Sequence, residues 1–157
     1  MYNDSGDERN RARIDALFRS DPYVAALGAQ LVGWAGGEAT LRWVAREVDR
    51  NFVGVVHGGA LFSVADGALA VASNSWGRVC VALSVEAQFL APVPRGKPLL
   101  ATARERSRAR RTGSYLIEVA PEAEPEVLVA SFQGMVYRTD HWHLGADAWS
   151  ETWKTAH

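Results

Sequence analysis

Cysteine is nearly absent: Cys80 is the single one in 157 residues. That excludes an internal disulfide framework and any zinc site built from several thiolates. Neither sign of charge is in excess. Seventeen Lys and Arg stand against eighteen Asp and Glu, a formal net charge of −1, so no global basic field draws the chain to nucleic acid or to a membrane surface. The opening MYNDSGDERNRARID lacks the apolar run of a secretory signal. A long hydrophobic run is lacking too. Gly58 to Gly77 comes closest, but it is mostly Gly, Ala and Ser, with Asp66 near its middle. A membrane span wants roughly 20 strongly apolar residues, and a central aspartate costs about 2.5–3.5 kcal/mol. The expectation is a reduced, soluble, cytoplasmic protein in which this segment is a helix buried in protein.

What is present is a globular mix, 48% hydrophobic and 22% charged, of the length of one domain covering residues 1–157. Residues 1–25 read as an N-terminal extension: a polar, frayed stretch over 1–8, then a short amphipathic helix over 9–19 carrying Ile14, Leu17 and Phe18. Ser20-Asp21-Pro22 ends that helix and caps a further turn. Residues 30–34 and 38–45 flank Ala35-Gly36-Gly37 as a hairpin, and 46–56 form a loop. Beyond the central helix the period changes to two, giving strands over 79–91, 99–110, 114–120 and 127–139. The tail, 140–157, holds Trp142, Trp149 and Trp153, the last two spaced to dock a short helix. Helices segregated from an antiparallel meander make an α+β domain. A helix apolar nearly all round must be covered on most sides, so the sheet curls around it.

On that helix Gly59, Ser63, Asp66, Ala70 and Ser73 form a narrow small-or-polar stripe, with Asp66 its only charge. A buried, unpaired carboxylate is pushed toward a raised pKa and marks a candidate site. Alternatively Asp66 is exposed, or pairs structurally with Arg42 or Arg78. His57-Gly58-Gly59 opens the helix. Free N–H groups there can polarise a carbonyl oxygen, and glycine lets a substrate approach the backbone; the same residues also suit a plain turn. Gly58 and Asp66 are eight residues apart, about 12 Å along the axis. If the two act on one atom, the aspartate must come from a second copy, which predicts a two-fold dimer with antiparallel central helices and composite sites.

These residues resemble a known family. Asn51-Phe-Val-Gly54-Val-Val-His57-Gly58-Gly59-Ala-Leu-Phe-Ser-Val-Ala-Asp66 is similar to the signature of hotdog-fold acyl-CoA thioesterases, and within them to the PaaI-type group, named for phenylacetic acid degradation. Gln88-Phe89-Leu90-Ala91-Pro92, Arg111-Thr112-Gly113 and Ala130-Ser131-Phe132-Gln133-Gly134 fit the same layout. The resemblance spans residues 26–138 and leaves out the tail. It implies a hotdog fold, a long central helix wrapped by a curved sheet of five to six strands, and a homotetramer built as a dimer of the homodimers that the spacing predicts. It further implies hydrolysis of an acyl-CoA thioester, with an aryl-acetyl group one acyl candidate and no cofactor beyond the substrate's own coenzyme A. On the matching positions, the Gly58 amide, with Gly59 beside it, polarises the carbonyl. Asp66 of the partner subunit acts as nucleophile or general base, and Asn51 and His57 position the reacting groups. Gly67 departs from relatives that carry Ser or Thr there, and Ser84 is the candidate for a supporting hydroxyl on the strand after the helix.

Arg104, Arg106, Arg108 and Arg110 recur at period two, with Arg111 beside them, and predict one basic strand face. Arginine matches phosphate geometry, so Arg108, Arg110 and Arg111 are candidates for the nucleotide end of coenzyme A; a solvated face is the plainer alternative. The patch is too short for nucleic-acid binding. His141 and His143 lack further ligands and predict no metal site. Trp34, Trp43, Phe52 and Phe62 are candidates for an acyl pocket or, more simply, for the core. A hotdog dehydratase or hydratase and a non-catalytic acyl-CoA-binding module are the competing functions.

Overall fold

The computed structural model describes residues 5–157, with side-chain surroundings from residue 9 onward. The frayed start expected over 1–8 therefore lies partly outside the described residues; within them, α1 already begins at Ser5 and runs to Arg19. In α2, Pro22–Leu27, the Asp21 carboxylate accepts from the Tyr23 and Val24 amides, Pro22 opens the turn, and Gly28 at φ 73° closes it.

The chain then lays down β1 (Gln30–Ala35), β2 (Glu38–Val44), α3 (Gly58–Asn74), β3 (Arg78–Phe89), β4 (Pro98–Arg108), β5 (Thr112–Pro121), β6 (Ala130–Trp142) and α4 (Glu151–Ala156). The six strands form one antiparallel sheet in the order β1-β2-β4-β5-β6-β3. Its inner face packs on α3, and Leu41, Trp43, Leu69, Leu99, Ile117, Val119 and Phe132 are fully buried between them. Helix and sheet meet closely at Gly134, where a Cβ would lie 2.7 Å from Leu69 Cδ2. Gly67 serves the other side: a Cβ there would meet Leu41 Cδ1 at 2.9 Å and Val24 Cγ2 at 3.2 Å. Glycine after Asp66 thus has a packing cause, the seating of α3 against β2 and α2.

Most boundaries move by one to three residues, β6 for example beginning at Ala130 and not at Val127, and two of the shifts have a visible cause. α3 stops at Asn74, not Gly77, because the Asn74 side chain turns back to the chain beyond the helix: its Nδ2 donates to Cys80 O and its Oδ1 accepts from Cys80 N. β6 runs three residues past Thr139, since Arg78 of β3 still pairs with Trp142.

The tail docks across the C-terminal end of α3. Trp149 is buried, donates to His143 O at 2.7 Å and stacks on Trp153 at 5.7 Å. Trp153 donates to Trp76 O, and the His157 ring stacks on Trp153 at 4.0 Å and on Trp76 at 4.5 Å. Gly77 makes this possible: it sits at φ +84°, and a Cβ would lie 2.3 Å from the Trp149 ring. Gly77→Ala is expected to destabilise by about 2–4 kcal/mol, left-handed strain plus overpacking. Gly96→Ala, at φ +65° with open space around it, carries the strain alone, about 1–2 kcal/mol. Thermal unfolding followed by tryptophan fluorescence measures both; equal effects would show that the Trp149 clash does not matter.

Candidate active site

The loop 46–57 carries the first half of the site. Buried Asp49 anchors it, accepting from Arg46 Nε and Nη2 at 2.9 Å each and from the Arg46 amide at 2.7 Å. The guanidinium holds the Asp49 carboxyl below its ordinary pKa. Asp49 O accepts from the His57 amide at 2.8 Å, and Arg50 bridges to Val56 across the turn. Inside that turn Asn51 Oδ1 accepts from the amides of Val53 at 3.0 Å and Val55 at 3.3 Å. Asn51 thus shapes the loop that presents His57, and its Nδ2 makes no hydrogen bond among the described residues.

His57 is the N-cap of α3. Its Nδ1 accepts from Gly59 N at 2.8 Å, which leaves the proton of the neutral ring on Nε2. The amides of Ala60 and Leu61 both donate to His57 O. Of the four N–H groups that open the helix, Gly58's alone has no acceptor among the described residues. The Phe89 ring covers its flank: a Cβ on Gly58 would come within 3.0 Å of Phe89 Cζ. Phe89 and Phe62 both meet Phe132 edge-on at 6.0 Å, so a free amide sits beside an aromatic wall.

Asp66 lies eight residues further along α3, about 12 Å by helical rise. It is exposed in the protomer and forms no hydrogen bond or ion pair among the described residues. Neither arginine considered for it is available: Arg42 pairs with Glu122 at 3.0 Å and Arg78 with Asp140 at 2.9 Å. Its pKa is raised, first because surrounding protein displaces water from part of the carboxyl, second because the Asp21 carboxylate lies near. Solvent still reaches one side of the carboxyl.

Other candidate positions fall elsewhere. Ser84 stands opposite Met135 past a bulge at Ala82/Ser84. Gly134 faces α3, so neighbouring Met135, and with it Ser84, points to the outer face of the sheet. There Ser84 lines an open groove of about 670 Å³ together with Glu86, Arg106 and Gln133; neither Gly58 nor Asp66 reaches it. The arginines do not form one basic face, because a bulge between Glu105 and Ser107 breaks the alternation. Arg104 pairs with Glu38 and Glu118. Arg108 pairs with Glu105 at 3.3 Å and stacks over Trp76 at 4.1 Å. Arg111 pairs with Asp140 at 2.7 Å. Arg110 is exposed in the β4–β5 turn and free of such partners among the described residues.

His143 Nε2 donates to Asn74 Oδ1 at 2.8 Å. Trp43 is core, donating to Leu27 O; Trp34 bonds to Asp15 and meets Phe18 edge-on; Phe62 is half-buried. Phe52 is fully exposed and belongs to no core. Among the described residues no helix is long and apolar enough to cross a membrane.

Residues 53–127 match the family model described as the thioesterase superfamily. The acyl-coenzyme A thioesterase PaaI of Escherichia coli is 35% identical over 123 residues, 78% of this chain and 86% of that one. A solved structure of Escherichia coli PaaI, from the phenylacetic acid degradation operon, superposes at a TM-score of 0.78 with 32% identity, covering 88% of this chain and 98% of that one. A single-site variant of the phenylacetic acid degradation protein PaaI from Thermus thermophilus superposes at 0.71 with 39% identity, over 76% of this chain and all of that one. In sequence and in the wrap of six strands around α3, the chain belongs to the thioesterase superfamily, in its PaaI-type hotdog group.

Proposed function

We propose that this protein hydrolyses the thioester of an acyl-CoA, in two sites that each combine the Gly58 amide of one protomer with Asp66 of the partner subunit. The observation that carries the reading is the pairing of two unsatisfied groups. Among the described residues, Gly58 N–H is the one opening amide of α3 without an acceptor and Asp66 is a carboxylate without a cation, too far along the same helix to share a reacting atom. Negative charge develops on the thioester oxygen during attack, and a fixed N–H at a helix start stabilises it. Asp66 takes a proton from water as hydroxide adds to the carbonyl carbon. The C–S bond then breaks, and the coenzyme A thiolate takes up that proton. Direct attack by the carboxylate gives a mixed anhydride that water opens to the same products.

Dimerisation is supported by what the protomer leaves uncovered. β3 pairs with β6 on one side only, so its free edge can pair with a second β3. Val81, Leu83, Phe89 and Leu90 along it are exposed, as are Phe52 and Val53 on the loop before His57. A second copy laid antiparallel on this edge covers them; a dimer of such dimers is the assembly the resemblance implies. The aromatic wall of Phe89 and Phe62 beside Gly58 and the relatives of phenylacetic acid degradation support an aryl-acetyl acyl group. Of the three arginines considered for the nucleotide, Arg110 is the one no carboxylate holds, and it is assigned to the phosphates.

The test is free-thiol release from a panel of acyl-CoAs, run beside sedimentation. Thiol release by a dimer or larger assembly supports the proposal. Water addition to an enoyl-CoA without thiol release, binding without turnover, or a fully active monomer would each overturn it.

A further inference from the structure

Tyr23 has an arrangement that core packing does not explain. Its ring is 62% exposed, yet its hydroxyl is fixed, 3.1 Å from Ser63 Oγ across 40 residues of chain. The direction of that bond follows from Ser63, which donates its one proton to Gly59 O at 2.9 Å. Ser63 Oγ can only accept from Tyr23, so the phenol donates inward and keeps its free lone pairs for whatever lies outside.

The location is specific. Ser63 and Asp66 are three residues apart on α3, on one helix face, with roughly 5–6 Å between such Cβ atoms. Asp21, two residues before Tyr23 and the cap of the same α2, is near enough to raise the Asp66 pKa. Tyr23 therefore stands within the length of a short acyl group of the carboxylate assigned to the attack. We infer that Tyr23, held by Ser63, is a specificity-determining residue of the acyl site, its phenol oxygen accepting a hydrogen bond from an acyl group that carries a donor such as a hydroxyl. The inference rests on the thioesterase reading.

The test compares 4-hydroxyphenylacetyl-CoA with phenylacetyl-CoA, esters that differ by one hydroxyl, in the unaltered protein, Tyr23→Phe and Ser63→Ala. Tyr23→Phe is expected to lower kcat/KM for the hydroxylated ester by about three- to tenfold, the effect of one partly solvated hydrogen bond, and to leave the other ester unchanged. Ser63→Ala, which frees the phenol to turn, lowers the same ratio by less. Tyr23 is exposed and Ser63→Ala removes only a hydroxyl on a half-buried helix position, so both variants keep the melting temperature of the unaltered protein within a few degrees, and the ratio of two substrates on one preparation cancels any loss of folded enzyme. An unchanged ratio in Tyr23→Phe, with both esters still hydrolysed, overturns the assignment of Tyr23 alone. Hydrolysis of neither ester, nor of any other acyl-CoA, by the unaltered protein overturns the thioesterase reading and this inference with it.

Discussion

Asp66→Asn is expected to lower thiol release by about a thousandfold, the range associated with losing a general base or nucleophile, while raising rather than lowering stability at neutral pH. The two effects share a cause. Asp66 is partly desolvated beside Asp21 and has no cation, so its pKa is higher in the folded protein than in the unfolded chain. The folded state thus binds the proton more tightly, and its stability falls as pH rises from the ordinary carboxylate value of 3.8 through the raised one. The amide variant carries no such charge. Its melting temperature should match that of the unaltered protein below that window and exceed it above. Activity runs the opposite way: only the ionised carboxyl attacks, so kcat falls with acidification at a pH above the usual carboxylate range. Melting curves across pH and thiol release on the same preparations check both. Retention of a tenth or more of the activity in Asp66→Asn would remove the carboxyl from the chemistry.

The residues showed their roles in proportion to how local those roles are. The Ser20-Asp21-Pro22 cap, the hairpin around Gly36-Gly37 and the His57 start of α3 are set by side chains within a few positions, and each appears where the pattern places it. The arginine face failed for a non-local reason. A bulge at Glu105/Ser107 shifts the register against β5, and Trp76 and Glu105 take up Arg108. Ser84 sits past a similar bulge at Ala82/Ser84, and one extra residue sends a side chain to the opposite face. The spacing of Trp149 and Trp153 shows a short docking helix, α4, but not where it docks, because that is fixed by Trp76 and by the bare Gly77, more than seventy positions away. Tyr23 was missed likewise: a tyrosine in a six-residue helix gives no sign that its hydroxyl ends on Ser63.

Replacing Gly58 by proline isolates the amide at the centre of the proposed chemistry. Proline is at home at the first position of a helix, where its fixed φ suits and its missing N–H breaks no helical bond. The residue before it must be extended, and His57 already is, at φ −67° and ψ 133°. The backbone therefore accepts Gly58→Pro, and the His57 cap on Gly59 N stays in place. What disappears is the one opening N–H that has no acceptor among the described residues. Loss of a donor to a developing oxyanion costs about 2.7–4 kcal/mol of barrier, so kcat should drop by about 10²–10³. Gly58→Ala supplies the control. It keeps the N–H and adds a Cβ 3.0 Å from Phe89 Cζ. That ring is more than half exposed and can swing away, so the loss should stay below about tenfold; the same crowding in the proline variant is thereby accounted for. Melting temperatures within a few degrees of one another show that both variants fold alike. A proline variant as active as the alanine one would mean that the carbonyl oxygen is held by some other donor, with Asn51 Nδ2 and His57 Nε2–H the two to replace next.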